Sequence, residues 1–103
     1  MTNEELKAKI IESIKNVFDP EIPINVWDLG LIYELTVTDG GKVKVLMTLT
    51  APNCPEAERL PQEVLERIKE IPDVAQAEVE ITFEPAWDLR RLSDDAKLMF
   101  EMI

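Results

Sequence analysis

The stretch from Tyr33 to Thr50, YELTVTDGGKVKVLMTLT, decides the fold of this chain. Apolar and polar residues alternate on both sides of Asp39-Gly40-Gly41, which is the pattern of two half-buried strands. The two glycines supply the positive φ angles that a tight turn requires. The stretch therefore predicts an antiparallel hairpin. Its inward-facing residues are predicted to be Tyr33, Leu35 and Val37, followed by Val43, Val45, Met47 and Leu49.

A helix is predicted upstream of the hairpin. Thr2 and Glu5 have the spacing of a capping box, in which two unpaired backbone donors are satisfied by side chains. Asp19-Pro20 is predicted to end the helix, because proline disfavours helical geometry at the preceding residue. Residues 19–30 are then an ordered loop. The apolar residues at helical spacing are Leu6, Ile10, Ile14 and Val17, and Ile11 and Phe18 widen the same stripe.

A second helix, a third strand and a short helical tail are predicted downstream. Pro55 suits the first turn of the second helix, whereas Pro61 should kink that helix or mark a restart. Ser93 is a plausible cap for the tail helix, which carries Leu98, Met99 and Met102. The apolar stripe of the second helix is Leu60, Val64, Leu65, Ile68 and Ile71, and that of the third strand is Ala77, Val79, Ile81 and Phe83.

The element order is therefore α-β-β-α-β with a short helical C-terminal tail, which is an α+β fold. Each strand has one apolar face, so both long helices should cover the same side of a three-stranded mixed sheet. The helical crossover makes the third strand parallel to the second. A chain of 103 residues fits one domain, residues 1–103.

The charge composition limits the classes of molecule that this chain is expected to bind. With 21 acidic and 11 basic residues the net charge is −10, which argues against nucleic acid because phosphates would be repelled. The acidic excess indicates a solvated surface, or an acidic face for a basic partner protein. Apolar runs fall far short of the ~20 residues that span a bilayer, and the N-terminus lacks the pattern of a signal peptide. We expect a soluble, cytoplasmic protein.

Histidine is absent and cysteine occurs once. One thiolate without an imidazole cannot complete a zinc or iron–sulfur site within one chain. A bound cluster or iron is therefore expected to be transient or shared between chains, for instance in a homodimer.

Cys54 is the candidate reactive group and metal ligand. It precedes Pro55 at the predicted start of a helix, where unpaired N–H groups and the helix dipole favour the thiolate. The alternative is a buried cysteine that packs as a small apolar residue.

Asp19 and Glu21 flank a proline after the first helix and could point together into a pocket. Acids at the end of a helix oppose its dipole, which suggests selection for another purpose. Thr48 and Thr50 are predicted on the strand face opposite to the apolar one, where their hydroxyls could line the same pocket as Cys54. The alternatives are solvated acids and ordinary strand threonines.

Three motifs add a resemblance. They are DPEIPINVWDLGLIY at 19–33, VLMTLTAPNCP at 45–55 and VEITFEPAWDLRRLS at 79–93. In this order and spacing they resemble the PaaD-like/SufT family of iron–sulfur cluster assembly factors. The resemblance implies a fold similar to NifU C-terminal-type domains and a role in maturing iron–sulfur proteins. It also implies partners such as Mrp/ApbC-type ATPases and client apoproteins, and a pocket of Asp19, Glu21, Thr48, Thr50 and Cys54.

Three hypotheses for the function remain open at this point. The first is a non-enzymatic assembly or targeting factor whose Cys54 contacts a cluster, iron or a partner thiol transiently. The second is a thiol-dependent enzyme with Cys54 as nucleophile and Asp19 or Glu21 as acid–base. The missing histidine argues against this enzyme, because cysteine nucleophiles usually depend on a nitrogen base. The third is a protein-interaction module in which Cys54 is inert.

Overall fold

The computed structural model describes residues 2–19, 23–50 and 59–101. These residues form an α+β fold with three strands and three α-helices. The elements are α1 (Asn3–Ile14), β1 (Ile32–Thr38), β2 (Lys42–Met47), α2 (Arg59–Lys69), β3 (Gln76–Ile81), a 3₁₀ turn (Leu89–Arg91) and α3 (Asp94–Glu101).

The sheet has the order β1-β2-β3, with β1 antiparallel and β3 parallel to β2. The predicted hairpin is confirmed, since Gly40 and Gly41 have φ angles of 88° and 74°. Gly41 also lies so close to the Asp73 carbonyl oxygen that a β-carbon would overlap it. Its own carbonyl accepts a 2.8 Å bond from the Ala75 N–H, so the turn also fixes the start of β3.

Both ends of the predicted strand pattern need correction. The register shifts between Ile32 and Glu34, and Ile32 rather than Tyr33 packs against the core. The irregular register changes which side chains face inward at the start of β1. At the other edge of the sheet, β3 ends at Ile81, and Phe83 is 42% exposed instead of buried.

The capping box of α1 is confirmed. The Glu5 N–H donates to the Thr2 hydroxyl at 3.1 Å, and the Thr2 N–H donates to the Glu5 carboxylate at 3.3 Å. Hydrogen bonds of this kind satisfy donors that the first helical turn leaves unpaired.

The predicted end of α1 at Asp19 is wrong, because the helix ends at Ile14. A turn follows the helix, in which the Val17 N–H donates to the Ile14 carbonyl at 2.9 Å, and the Val17 carbonyl accepts a 2.9 Å bond from the Val26 N–H. This turn keeps Val17 fully buried at the predicted spacing from Ile14, whereas Phe18, predicted on the same stripe, is 52% exposed.

The described part of α2 contains Pro61 as its third residue and continues without a break to Lys69. Proline is tolerated near a helix start because the first N–H groups have no partner within the helix. The predicted role of Pro55 lies outside the described residues, so the kink and restart alternatives stay untested upstream of Arg59.

Both long helices cover one face of the sheet, as predicted. α1 packs against β1 and α2, and α2 packs against β3. Among the described residues, no helix is long and apolar enough to cross a membrane. The apolar core comprises Leu6, Ile10, Ile14, Val17, Ile24, Val26, Leu29, Leu31, Val43, Val45, Met47, Leu49, Leu60, Val64, Ile68, Ile71, Leu92 and Ala96.

The tail helix α3 begins as predicted, with the Ala96 N–H donating to the Ser93 hydroxyl at 3.1 Å. Ala96 is buried, but Leu98 and Met99 are 61% and 46% exposed. Met102 lies outside the described residues. α3 therefore contacts the rest of the domain through the side of the helix that carries Ala96.

Candidate functional site

Two polar side chains are buried in the part of the chain that the structure describes, and both were predicted as site residues. Asp19 is 7% exposed and Thr48 is fully buried. Burying a polar group costs free energy unless it is hydrogen-bonded. Fully or nearly fully buried aspartate and threonine side chains are uncommon, so the region around these two residues is the candidate site.

Thr48 reaches this position because β2 ends at Met47. The predicted alternation stops there, since Met47, Thr48 and Leu49 are all buried. Thr48 is thus not on an open strand face, while Thr50 is half-buried. The Thr48 N–H donates to the Leu31 carbonyl at 2.8 Å, but its hydroxyl oxygen is buried without a hydrogen-bond partner among the described residues.

Asp19 reaches its position through a short antiparallel bridge between Phe18 and Asn25. Its own N–H donates to the Ile24 carbonyl at 3.4 Å. The backbone before Pro20 is therefore extended and paired, rather than part of a helix terminus. The argument from an unfavourable helix dipole does not apply to Asp19.

One loop connects the two buried polar residues, and we call this segment, Asn25–Leu31, the hub loop. On one side, the Val26 N–H donates to the Val17 carbonyl at 2.9 Å. The Leu31 N–H then donates to the Val26 carbonyl at 3.1 Å, and the Leu31 carbonyl accepts the bond from Thr48. A series of backbone hydrogen bonds thus links the chain next to Asp19 to Thr48.

Side chains within the hub loop keep its shape. The Asn25 amide donates to the Asp28 carboxylate at 2.8 Å, and the Asn25 carbonyl oxygen accepts from the Asp28 N–H at 2.9 Å. Asparagine and aspartate often bond neighbouring backbone in this way, and so favour turns. The sequence analysis missed both residues, although the residue types Asn and Asp near Gly30 were a usable signal for a turn.

Residues 85–93, which we call the strap, lie against the hub loop. The Trp87 indole N–H donates to the Leu29 carbonyl at 2.6 Å, over 58 positions of sequence. The Ser93 N–H donates to the Asp28 carbonyl at 2.8 Å. Nothing in the sequence indicates which carbonyl the Trp87 indole N–H would reach.

Gly30 allows the strap to approach this closely. Its φ is +77°, and a β-carbon there would overlap the carbonyl oxygen of Arg91. Arg91 in turn lies 4.4 Å from the centre of the Tyr33 ring, a cation–π contact. The Tyr33 hydroxyl donates to the Pro85 carbonyl at 2.7 Å, which fixes the start of the strap to β1.

The strap also has its own charged pair. Asp88 accepts bonds from the Arg90 N–H at 2.8 Å and from the Arg90 guanidinium at 3.0 Å. These hydrogen bonds hold the pKa of Asp88 below its ordinary value and raise that of Arg90. The pair lies at the surface and organises the 3₁₀ turn.

Glu21 and Cys54 lie outside the described residues, so their predicted positions stay predictions. Within the described ranges, no group of three or more cysteine, aspartate or glutamate side chains is placed to hold a metal ion. The structure therefore brings Asp19 and Thr48 into one backbone network without adding a metal cage of its own.

A family model described as iron–sulfur cluster assembly protein matches residues 7–81. The chain belongs to this family. The match includes most of α1, the hub loop, the hairpin, α2 and β3, and it covers every predicted site residue. The resemblance that the motifs indicated is confirmed.

Relatives of this iron–sulfur assembly family agree. A protein of Porphyromonas gingivalis named Fe-S protein maturation auxiliary factor is 43% identical and covers 95% of each chain. The SufT factor of Staphylococcus aureus, with the same description, is 38% identical over 80% of this chain and 93% of its own. An iron-sulfur cluster carrier protein of Mycobacterium leprae is 29% identical over 75% of this chain, but over only 20% of its own length.

Solved structures show the same fold. A domain of unknown function from Bacillus anthracis superposes with a TM-score of 0.91 at 27% identity, covering 98% of this chain and 96% of its own. A conserved hypothetical protein from Thermotoga maritima gives 0.81 at 39% identity, covering 97% and 98%. The superpositions extend over nearly the whole chain, so they include the strap as well as the family core.

Proposed function

We propose that this chain is a cytoplasmic auxiliary factor in the maturation of iron–sulfur proteins. It acts through a site formed by Asp19, Glu21, Thr48, Thr50 and Cys54. Membership of the iron–sulfur assembly family and the names of the relatives support the process. A cysteine used as a free thiol also requires a reducing compartment, which supports the cytoplasm.

The observation that carries the site is the buried hydroxyl of Thr48. An unsatisfied buried polar group costs roughly 1–3 kcal/mol, and the described part of the chain offers this hydroxyl no hydrogen-bond partner. Valine would fill the same space without that cost. Retention of a threonine is explained if its hydroxyl serves the cargo, a partner or the Cys54 thiol during function.

The count of ligands supports transfer over storage. Clusters are normally held by four thiolates, with nitrogen replacing some of them in certain sites. This chain has one cysteine and no histidine. A cluster or iron ion is thus cargo that Cys54 contacts while other ligands come from a second chain, a client or a small thiol. Cargo held in this way can leave easily.

The partners follow from the same chemistry. A protein that passes on a cluster needs a donor and an acceptor, so we propose a cluster carrier on one side and client apoproteins on the other. The Mycobacterium leprae carrier supports this pairing, because a segment similar to most of this chain forms 20% of its length. Mrp/ApbC-type ATPases are the carriers we propose.

Anaerobic reconstitution with iron and sulfide, followed by gel filtration, tests the cargo. We expect the purified protein to be colourless, and any cluster to be labile, bridged between chains and lost in Cys54→Ala. A stable cluster on a monomer, or one that survives Cys54→Ala, contradicts the proposal.

A maturation assay on a client enzyme tests the site. Thr48→Val and Asp19→Asn should impair maturation while the protein stays folded. The matched controls Thr36→Val and Asp73→Asn change the same residue types at exposed positions and should act like the unmutated protein. Full activity of both site variants would exclude this site.

A further inference from the structure

We infer that Trp87 is a positioning residue for the site, and that it holds Thr48 in place through the hub loop. Trp87 lies beyond residues 7–81, which the family model matches. The inference deepens the proposed function and rests on it for the activity measurement. Its structural half can be measured independently.

The strap contacts the hub loop at three consecutive residues, Asp28, Leu29 and Gly30. The Ser93 N–H binds the Asp28 carbonyl at 2.8 Å, and the Trp87 indole N–H binds the Leu29 carbonyl at 2.6 Å. The Arg91 carbonyl then packs against the α-carbon of Gly30. Peptide groups on both sides of Leu29 are therefore fixed by residues far away in sequence.

Leu31, which follows Gly30 in the hub loop, is the residue that holds Thr48. The Leu31 carbonyl accepts the Thr48 N–H at 2.8 Å, and Gly30 separates Leu31 from the carbonyl that Trp87 binds. Glycine has more backbone freedom than any other residue. Without the strap, rotation at Gly30 could turn the Leu31 carbonyl away from Thr48.

Trp87 suits this role because the strap is anchored beyond it by Leu92, which is buried in the core with 6% exposure. Trp87 itself is half-buried and packs against the core. The 2.7 Å bond from the Tyr33 hydroxyl to the Pro85 carbonyl lies on the other side of Trp87 and is not required for this anchor. The Trp87 N–H thus holds the Leu29 carbonyl of the hub loop against the anchored strap, and the Leu31 carbonyl of the same loop holds Thr48.

The test compares two variants that each lose one side-chain donor of the strap region and keep an aromatic ring. Trp87→Phe removes the bond to Leu29, whereas Tyr33→Phe removes the bond to Pro85, which does not touch the hub loop. Amide hydrogen exchange by NMR reports the opening of each N–H. We expect the Thr48 amide to exchange about fivefold faster in Trp87→Phe, a factor typical of one neutral hydrogen bond. In Tyr33→Phe it should change by less than about twofold.

Client maturation is measured on the same proteins. We expect activity to fall in Trp87→Phe and to persist in Tyr33→Phe. An unchanged Thr48 amide in Trp87→Phe overturns the inference, whatever the activity. So does a faster amide with full activity, provided that Thr48→Val is inactive in the same assay.

The two proposals can fail separately. If Thr48→Val and Cys54→Ala both retain activity, the proposed function fails, while the response of the Thr48 amide still decides whether Trp87 positions it. If Trp87→Phe does not fold, exchange in the unmutated protein replaces it. The Thr48 amide and the Trp87 indole N–H should then open with the same free energy in mild denaturant, and clearly different values overturn the inference.

Discussion

The two ends of the sheet are built in different ways. At the hairpin end, β1 and β2 are joined by Asp39-Gly40-Gly41, and the contacts that shape the turn lie within a few residues of sequence or at the start of β3. At the opposite end, the chain after β2 is held by the hub loop, which is in turn held by the strap 58 positions away. The turn at one end owes its positive φ angles to its own glycines, whereas the loop at the other end is held by side-chain and backbone donors of the strap.

The difference also concerns polar groups. The hairpin end exposes its polar side chains, as the solvated Thr36, Thr38 and Lys42 show. The other end buries Asp19 and Thr48. The two ends therefore place their polar side chains differently: they are exposed at the hairpin end, whereas Asp19 and Thr48 are buried at the end that carries the candidate site.

The largest effect is expected for alanine at the two turn glycines. Gly30→Ala combines a positive φ with overlap against the Arg91 carbonyl, whereas Gly40→Ala has the positive φ alone and open space around it. Left-handed geometry costs a non-glycine residue roughly 1–2 kcal/mol. Urea unfolding should show a loss of about that size for Gly40→Ala and about 3 kcal/mol or more for Gly30→Ala. Equal losses would mean that the strap does not restrict the hub loop.

A smaller difference in lost stability is expected between the alanine substitutions of two asparagines, Asn25 and Asn3. The Asn25 side chain makes two part-buried bonds to Asp28, whereas Asn3 makes one exposed 3.0 Å bond to Asp39 near the hairpin turn. Asn25→Ala should therefore cost about 1–3 kcal/mol, and Asn3→Ala about 0.5 kcal/mol or less. Thermal unfolding followed by circular dichroism measures both. A larger loss for Asn3→Ala would reverse the proposed contrast between the ends.

Replacing Thr48 by valine should raise stability, whereas the glycine and asparagine substitutions above should lower it. Thr48→Val removes a buried hydroxyl that has no hydrogen-bond partner in the described part of the chain, and it should stabilise the protein by up to about 1 kcal/mol. Thr36→Val, on an exposed strand position, should lie within about 0.5 kcal/mol of the unmutated protein. Denaturant midpoints decide this. Destabilisation by Thr48→Val would show that the hydroxyl is bonded in the folded protein.

The smallest effects are expected on acidification. Hydrogen bonds from Thr2 lower the pKa of Glu5 from its ordinary value of 4.5, and those from Arg90 lower that of Asp88 from 3.8. A lowered folded-state pKa gives stability that is present above the ordinary value and is lost as pH falls through the lowered one. Thr2→Ala and Arg90→Gln should each remove part of this acid sensitivity. Urea unfolding between neutral pH and pH 3 compares them, and an unchanged pH profile in both variants would contradict the assignment.

The sequence predicted what local chemistry controls. The hairpin, the capping box of Thr2 and Glu5, the Ser93 cap and the parallel third strand all follow from neighbouring residues. The end of α1 was placed too late, because the turn after Ile14 keeps Val17 at helical spacing, with its N–H donating to the Ile14 carbonyl at 2.9 Å. The Tyr33 irregularity also left no sign in the alternating pattern.

The candidate site was predicted in its residue types but not in its construction. Asp19 and Thr48 were identified from charge, hydroxyl chemistry and the family resemblance. The connection between them depends on which carbonyls the hub loop offers and which donors of the strap reach them. These hydrogen bonds join residues that are far apart in sequence, and neither hydrophobic periodicity nor secondary-structure propensity predicts them.

The bond between Trp87 and Leu29 has a consequence for the order of events during synthesis. Chains are made from the N-terminus, and domains acquire structure as their segments emerge from the ribosome. The hairpin can pair as soon as residue 47 is available. The hydrogen bond from Trp87 to the hub loop cannot form until Trp87 has emerged, 58 positions after its partner. A nascent chain therefore carries Cys54 before Trp87 is present to hold the hub loop, so the proposed site is completed only after residue 87 has been made.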